Sequence, residues 1–373
     1  MTENNNVNKP MVFIEQDWIT GDTCVFTISN PFDRAKVKAG LCAMRKKLIA
    51  RLIDEGFEIT TDRGELPEDT IYLIMNSSSL CDENADLDVF KKAFDQRIFQ
   101  AGGEKLNYPR SLSMDDYFAN PFLPAVLKNE STNAGKDKFL IETTEQLKKV
   151  FKFYSKYKTV SPYKEAFSCT IFQQFIDTPT NHNTYMRVLM SASGDVMGAS
   201  LKYSMGVKEN RPAMGVLEKH FWDPNSEYYL NCQGMFGYYS GGGNISFAQP
   251  RYSTEKQTIL QAQGLDPNKP TVPTEVVEVS DEIMSKCNKE LGIICGIDFI
   301  QDKNDGKWYY LENQAFPAID EWAEPNGYRI PTRGGIDNYV KYNELDVEAR
   351  YTSLMMLVNK RKNNLNSTNL GLK

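Results

Sequence analysis

The sequence predicts an α+β fold rather than a doubly wound one, on three observations. The strand-like runs 138–141, 169–176, 184–191 and 196–203 enclose only one amphipathic helical stretch, too few helices to cover a parallel sheet. Two apolar runs, 296–300 and 308–312, flank Asn304, Asp305 and Gly306, and Asp-Gly between apolar runs is a strong hairpin signal. Ahead of these lies a separate α/β unit of roughly a hundred residues, the size of a small domain.

The elements follow in order. Residues 1–9 are polar and Asn-rich and read as a disordered tail. Strands are expected at 11–15 and 24–29, then a helix with Asp33 as N-cap and Gly56 as its stop. A strand at 70–75 and a helix at 86–100 complete an N-terminal domain over 10–107, joined onward by a polar connector at 101–113. An apolar run over 122–128 ends in Lys128 and opens into a small-residue loop closing on Lys136. After the strand 138–141, Thr143 and Gln146 have capping-box spacing for a helix running to Tyr157. Residues 205–252 read as irregular and contain a run of three glycines, 241–243, immediately before Asn244. A helix is expected over 273–291, where Val276, Val277, Ile283, Met284 and Cys287 fall near helical spacing. The hairpin follows, then a last helix over 344–361 and an Asn-rich tail read as mobile, with 366–373 outside any domain. No internal repeat is visible.

Composition narrows the function classes. At 373 residues the chain has room for two or three domains, and 41% hydrophobic with 25% charged residues is ordinary globular composition. A net charge of -6 gives no general attraction to nucleic acid or to an anionic membrane. Nothing approaches the roughly 18 apolar residues of a membrane span, and the first residues lack a signal peptide's apolar core. A soluble, cytoplasmic protein is the expectation. The seven cysteines are scattered without a Cys-x-x-Cys pair, against structural zinc or a disulfide framework. Two histidines, His182 and His220, leave little scope for triad catalysis. His182 is expected in a polar loop near any bound nucleotide and His220, beside Phe221 and Trp222, in packing.

The chemistry concentrates in a few places. A turn centred on residue 305 places Asp298 opposite Glu312 with Cβ atoms roughly 5 Å apart, where like charges repel unless a cation intervenes. Mg²⁺, held by one or two carboxylates and nucleotide phosphates, is the natural candidate. A solvated hairpin is the alternative. Lys128 and Lys136 bracket a loop whose backbone N–H groups could approach phosphate, though a strand-end lysine before a polar loop is also a common surface feature. Gln173, Gln174, Phe175, Ile176 and Asp177 end an apolar strand with two amides and a carboxylate, suiting an adenine edge and a ribose hydroxyl, or simply an edge strand's exit. Arg187 and Lys202, cations inside adjacent apolar strands, are paired, snorkelling or facing a ligand. The glycine run ending at Asn244 permits a backbone curl around an anion and equally a flexible connector.

In their order these residues resemble the ATP-grasp superfamily, specifically its carboxylate-amine ligase type, which includes glutathione synthetase and the ribosomal-protein glutamate ligases. The resemblance spans residues 108–320. It implies an ATP-grasp fold of two α+β lobes, over about 108–200 and 201–365, enclosing ATP. It places Lys128 on the nucleotide phosphates, residues 133–136 over the triphosphate, Gln173 to Ile176 at adenine, Arg187 and Lys202 at phosphate or substrate, and Asp298 and Glu312 on magnesium, two ions being expected. The family's Glu-x-Asn-x-x-Pro motif here reads Glu312, Asn313, Gln314, Ala315, Phe316, Pro317, with Gln314 where asparagine is usual. Strand alternation puts Gln314, not Asn313, on the face of Glu312, so its side-chain carbonyl inherits the third ligand position. An acidic residue usual in the hinge is an amide here, at Gln173 or Gln174. The implied activity joins a carboxylate to an amine through an acylphosphate, releasing ADP and phosphate, with small-molecule or peptide substrates. Arg329 and Arg333 are candidate carboxylate anchors, with a solvated loop as the alternative. A kinase of the same fold acting on a hydroxyl and a binding protein with a decayed nucleotide site are the rivals. Neither substrate nor oligomeric state is legible.

Overall fold

The computed structural model describes residues 10–14, 16–20, 31–62, 64–74, 105–129, 138–204, 215–232, 243–314, 319–329 and 336–370. In chain order the first elements are β1 (Met11–Ile14), α1 (Gln16–Thr20), α2 (Pro31–Asp54), β2 (Glu58–Thr60) and β3 (Ile71–Ile74). Gly56 ends α2 as expected: with a φ of 83° it lets Gly56 N–H reach the Ile53 carbonyl at 2.7 Å and Phe57 N–H reach Leu52 at 3.0 Å, a Schellman stop. The strands form a parallel sheet in the order β2-β1-β3. Short β2 and one-turn α1 had no periodicity to reveal them, and the expected strand 24–29 and helix 86–100 lie outside the described residues.

The middle of the chain supplies β4 (Ser111–Ser113), α3 (Met114–Ala119), β5 (Ala125–Asn129), β6 (Lys138–Ile141), α4 (Thr144–Tyr157), α5 (Tyr163–Ser168) and β7 (Thr170–Gln174). The capping box forms: Thr143 Oγ1 accepts from Gln146 N, and Gln146 Oε1 accepts from Thr143 N. These strands make an antiparallel sheet in the order β4-β7-β5-β6. One face packs on α4 and α5 through Leu127, Phe139, Phe153 and Phe172. From residue 105 the polar connector packs into the fold: Leu106 is buried, Tyr108 stacks on Tyr310, and Asn107 Nδ2 donates to the Trp308 carbonyl at 3.1 Å.

The remaining elements are β8 (Thr184–Ser191), β9 (Val196–Tyr203), α6 (Val216–Phe221), β10 (Gly243–Ser246), α7 (Thr254–Ala262), α8 (Thr274–Leu291), β11 (Ile294–Gln301), β12 (Trp308–Gln314), α9 (Asp320–Ala323) and α10 (Ile336–Leu370). Part of the stretch read as irregular is therefore regular: α6 carries Leu217 and Phe221 into the core of the four-stranded sheet, and β10 pairs with β9. The last helix starts earlier than expected and runs to Leu370, through most of the supposed tail. A five-stranded antiparallel sheet forms in the order β10-β9-β8-β11-β12. Sheet membership thus changes between β7 and β8, ahead of the expected lobe boundary near residue 200. One face of this sheet buries Met186, Val188, Leu201, Ile297 and Phe299 against Val276, Ile283 and Met284 of α8. At its end Leu189, Met197 and Ile294 join the N-terminal sheet and α10 in a second core. Tyr351 of α10 donates to Glu55 at 2.6 Å and carries Arg51 3.4 Å above its ring, tying the last helix to the first domain. Among the described residues no helix is long and apolar enough to cross a membrane.

Candidate active site

The two antiparallel sheets face each other across an open cleft of about 640 Å³, lined from one side by Val126, Lys128, Lys138 and the Gln173 to Ile176 run, and from the other by Asp298, Ile300, Leu311 and Glu312.

On the five-stranded side the hairpin has the expected pairing, Asp298 opposite Glu312 and Gly296 opposite Gln314. The route to it differs. Beyond Asp298 the ladder shifts by one, so that Phe299 faces Tyr310, Ile300 faces Tyr309 and Gln301 faces Trp308. The turn is therefore not centred on residue 305, and a β-bulge at Leu311 supplies the extra residue that returns Glu312 to register with Asp298. Gly306 takes the φ of 71° that the turn requires.

The charge beside Asp298 is in part the protein's own. β8 places Arg187 opposite Asp298 on the other side of β11, and Arg187 donates through Nε at 2.8 Å and Nη2 at 2.7 Å to the two carboxylate oxygens. Both residues are buried, at 8% and 1% exposure. Burial pushes the Asp298 carboxyl up to about 6, with Arg187 opposing and the Glu312 charge adding to the rise. Burial works against the Arg187 charge, but Asp298 outweighs it and holds the guanidinium protonated. Arg187, expected at phosphate or substrate, therefore spends two donors on Asp298.

Next to this pair, Arg187 aligns with Ser200 of β9, and Lys202, two residues on, aligns with Asn244 of β10. All share one face of the sheet by alternation. Lys202 Nζ donates to Glu321 Oε1 at 2.6 Å, and Ser200 Oγ donates to the same atom at 2.7 Å. Burial alone would raise Glu321, yet Lys202 and Ser200 prevail and hold its carboxyl below the ordinary value. Gly198 makes this approach possible: a Cβ there would lie 2.1 Å from the Glu321 carbonyl oxygen. Glu321 gave no signal in the sequence, since α9 is four residues long and its partner is 119 residues away.

On the four-stranded side Lys128 of β5 aligns directly with Lys138 of β6. Lys138 was passed over as the start of a strand, though it is the first residue after the loop that Lys128 opens. Its Nζ lies 3.9 Å from Glu312 Oε2, across the cleft. Beside the lysines, Val126, Leu140 and Phe175 form a small apolar cluster. Gln173 donates through Nε2 to Ser111 Oγ at 3.1 Å, and Gln174 Oε1 accepts from Arg110 N at 3.4 Å.

Other expected residues fall elsewhere. Asp177 does not line the cleft: it pairs with Lys303 of the hairpin turn, whose N–H also donates to the Asp177 carbonyl at 2.8 Å. Arg187, Lys202 and Asn244 share the sheet face of Asp298 without lining the cleft. His182 packs edge-on against Tyr203 and bonds the Ser204 carbonyl through Nδ1 at 2.6 Å. His220 lies among Phe153, Tyr157 and Tyr163, in packing as read. Arg329 is exposed. Lys136, Arg333, the loop 133–136, residues 315–318 and the side chain of Gln314 lie outside the described residues.

As a metal site the donor set is all oxygen, which suits a hard cation such as Mg²⁺. Asp298 retains lone pairs beyond those taken by Arg187, and the Glu312 side chain is 44% exposed toward the cleft. Among the described residues no group of three or more His, Cys, Asp or Glu is placed to hold a metal, so two carboxylates are the most the described protein offers. That is the number usual for magnesium bound together with phosphates.

No protein-family model and no curated protein sequence matches the chain. Among solved structures, the chain is similar to the ATP-grasp ligase PsnB complexed with minimal precursor, at 10% identity and a TM-score of 0.37 over 91% of this chain and 78% of that one. D-alanine–D-alanine ligase from Bacillus anthracis complexed with ATP gives 12% identity and a TM-score of 0.35, over 94% and 98%. The macrocyclase MdnC bound with precursor peptide MdnA from Microcystis aeruginosa gives 12% and 0.37, over 89% and 77%. At such identities and scores the likeness carries no weight of its own, and the arrangement of the cleft's residues is what bears on function.

Proposed function

We propose that the chain is an ATP-dependent, magnesium-requiring ligase of the ATP-grasp kind, joining a carboxylate to an amine through an acylphosphate. One observation carries the reading: a pair of opposed carboxylates, Asp298 and Glu312, faces a pair of opposed lysines, Lys128 and Lys138, across one cleft. Each pair sets like charges opposite one another across its sheet, and Arg187 offsets the charge of Asp298. Together they form a site of alternating sign, which a polyphosphate bound with a divalent cation would complement on both walls.

In this reading Asp298, Glu312 and Gln314 hold magnesium, which supplies charge neutralisation at the β- and γ-phosphates. Lys128 and Lys138 hold phosphate oxygens from the opposite wall, and Lys136 is a further candidate phosphate contact. The slot formed by Val126, Phe175, Ile176 and Ile300, with the Gln173 and Gln174 amides at its edge, takes the base. Lys202, fixed by Glu321, and Arg187, fixed by Asp298, supply positive charge beside the reacting groups; Asn244 adjoins Lys202. Phosphoryl transfer needs positioning and electrostatic stabilisation more than a protein nucleophile, which suits a cleft whose described walls hold cations and no histidine. The substrate carboxylate attacks the γ-phosphorus, ADP leaves, and the amine displaces phosphate from the acylphosphate. Arg329 and Arg333 are the candidate anchors for substrate carboxylates. The lobes of this enzyme divide after β7, with α6 returning to the first lobe.

The test is a screen of carboxylate and amine pairs for ADP release, with mass measurement of products. Amine-dependent release of ADP and phosphate supports the ligase; a stable phosphorylated product formed without amine would mean a kinase. Lys138→Ala should weaken Mg·ATP binding roughly tenfold or more, the loss of a charge-assisted hydrogen bond. If Asp298→Ala and Glu312→Ala left ADP formation unchanged, the proposal would fall.

A further inference from the structure

Gln173 is 5% exposed and lies on the cleft wall, and its side-chain carbonyl oxygen takes no hydrogen bond from any described residue. An amide can present either its oxygen or its NH₂ to a ligand, and heavy-atom positions alone do not decide which. Here a neighbour decides. β4 aligns Ser111 directly opposite Gln173, and the Ser111 hydroxyl lies 2.9 Å from the Pro109 carbonyl. A carbonyl can only accept, so the single hydroxyl proton goes to Pro109. Toward Gln173 the Ser111 oxygen is then an acceptor, and Gln173 must offer it the NH₂, as it does at 3.1 Å. The amide oxygen is left as an acceptor for the cleft.

We infer that Ser111 is a positioning residue which, through the fixed proton order Gln173 to Ser111 to Pro109, makes the cleft select a 6-amino purine over a 6-keto purine. This rests on the nucleotide reading above and adds to it the group that decides the base. The 6-amino group of adenine donates to an acceptor placed there, whereas guanine presents O6, a second acceptor, and leaves both oxygens unpaired. A polar site rejects a ligand that leaves its groups unpaired more strongly than an apolar pocket rejects one of altered shape. Without the Ser111 hydroxyl, nothing in this chain of bonds prevents the Gln173 amide from turning to donate to O6.

The experiment is calorimetric binding of Mg·ATP, Mg·GTP and Mg·ITP to the full chain, its Ser111→Ala variant and the double variant Ser111→Ala/Gln173→Glu. In Ser111→Ala the ratio of ATP to GTP affinity should fall about five- to tenfold, the loss of one oriented hydrogen bond, and ITP should follow GTP. Glutamate has no NH₂ to present, so the double variant should regain preference for ATP. A purely structural role for Ser111 would weaken all three nucleotides alike, and an unchanged ratio in Ser111→Ala, or none regained in the double variant, overturns the inference. Absence of binding by any nucleotide to the unsubstituted chain overturns the functional reading beneath it.

Discussion

Removing both partners of the Arg187 and Asp298 pair should cost less than the sum of removing each. In Asp298→Ala a guanidinium 8% exposed keeps its charge while losing the acceptors of two short hydrogen bonds. Breaking a buried ion pair in this way costs about 3–5 kcal/mol, because the remaining charge is uncompensated. At roughly 2–4 °C per kcal/mol for a unit of this size, the thermal midpoint should drop by about 6–20 °C. Arg187→Met leaves the converse problem, a carboxyl 1% exposed beside the Glu312 charge. The double variant Arg187→Met/Asp298→Ala buries no orphaned charge and should be more stable than either single variant's loss suggests, with a coupling of about 2 kcal/mol or more. Reversible urea unfolding of the four proteins gives the cycle. If the single losses add to the double within about 0.5 kcal/mol, the pair is not the buried unit described, and Arg187 must be assigned another role.

Two further expectations concern other parts of the molecule. Gly198→Ala would put a methyl group 2.1 Å from the Glu321 backbone oxygen, which has no side-chain freedom to escape, so the urea midpoint should fall by the equivalent of about 1–3 kcal/mol; a change within experimental error would refute the close approach. Burial, and then the Lys219 charge, hold the imidazole of His220 below its ordinary value, so as pH falls the unfolded chain takes up its proton first. The stabilisation is present above the ordinary histidine value and is lost as pH falls through the folded one; His220→Phe should flatten the slope of the thermal midpoint between about pH 7 and 5.

The hairpin was legible because its signals are local: Asp-Gly in the turn and apolar runs on both sides. β8 and β9 were bounded to the residue for the same reason, and the capping box of α4 identified itself by spacing. What local pattern cannot carry is partnership over distance. β8 joins the five-stranded sheet through β11, with Arg187 and Asp298 separated by 111 positions, so the change of sheet between β7 and β8 has no local signal. The same applies to Glu321, whose role depends on Gly198, Ser200 and Lys202 in a strand far upstream. Helices of four to six residues, such as α3, α5, α6 and α9, are too short to nucleate alone and have no full period to read; packing forms them. The bulge was hidden because Leu311 merely continues an apolar run.

That bulge changes what two adjacent residues can do. In a regular strand neighbours look to opposite sides, and an apolar and a charged group on one wall must be two positions apart. At the bulge, Leu311 and Glu312 both line the cleft. The passage from apolar to charged lining is thereby compressed into one peptide unit on this wall. Deleting Leu311 would do more than shorten a strand. It would make the ladder continuous, with Glu312 directly after Tyr310 and still opposite Asp298, so the cleft would lose an apolar wall contact and keep its carboxylate.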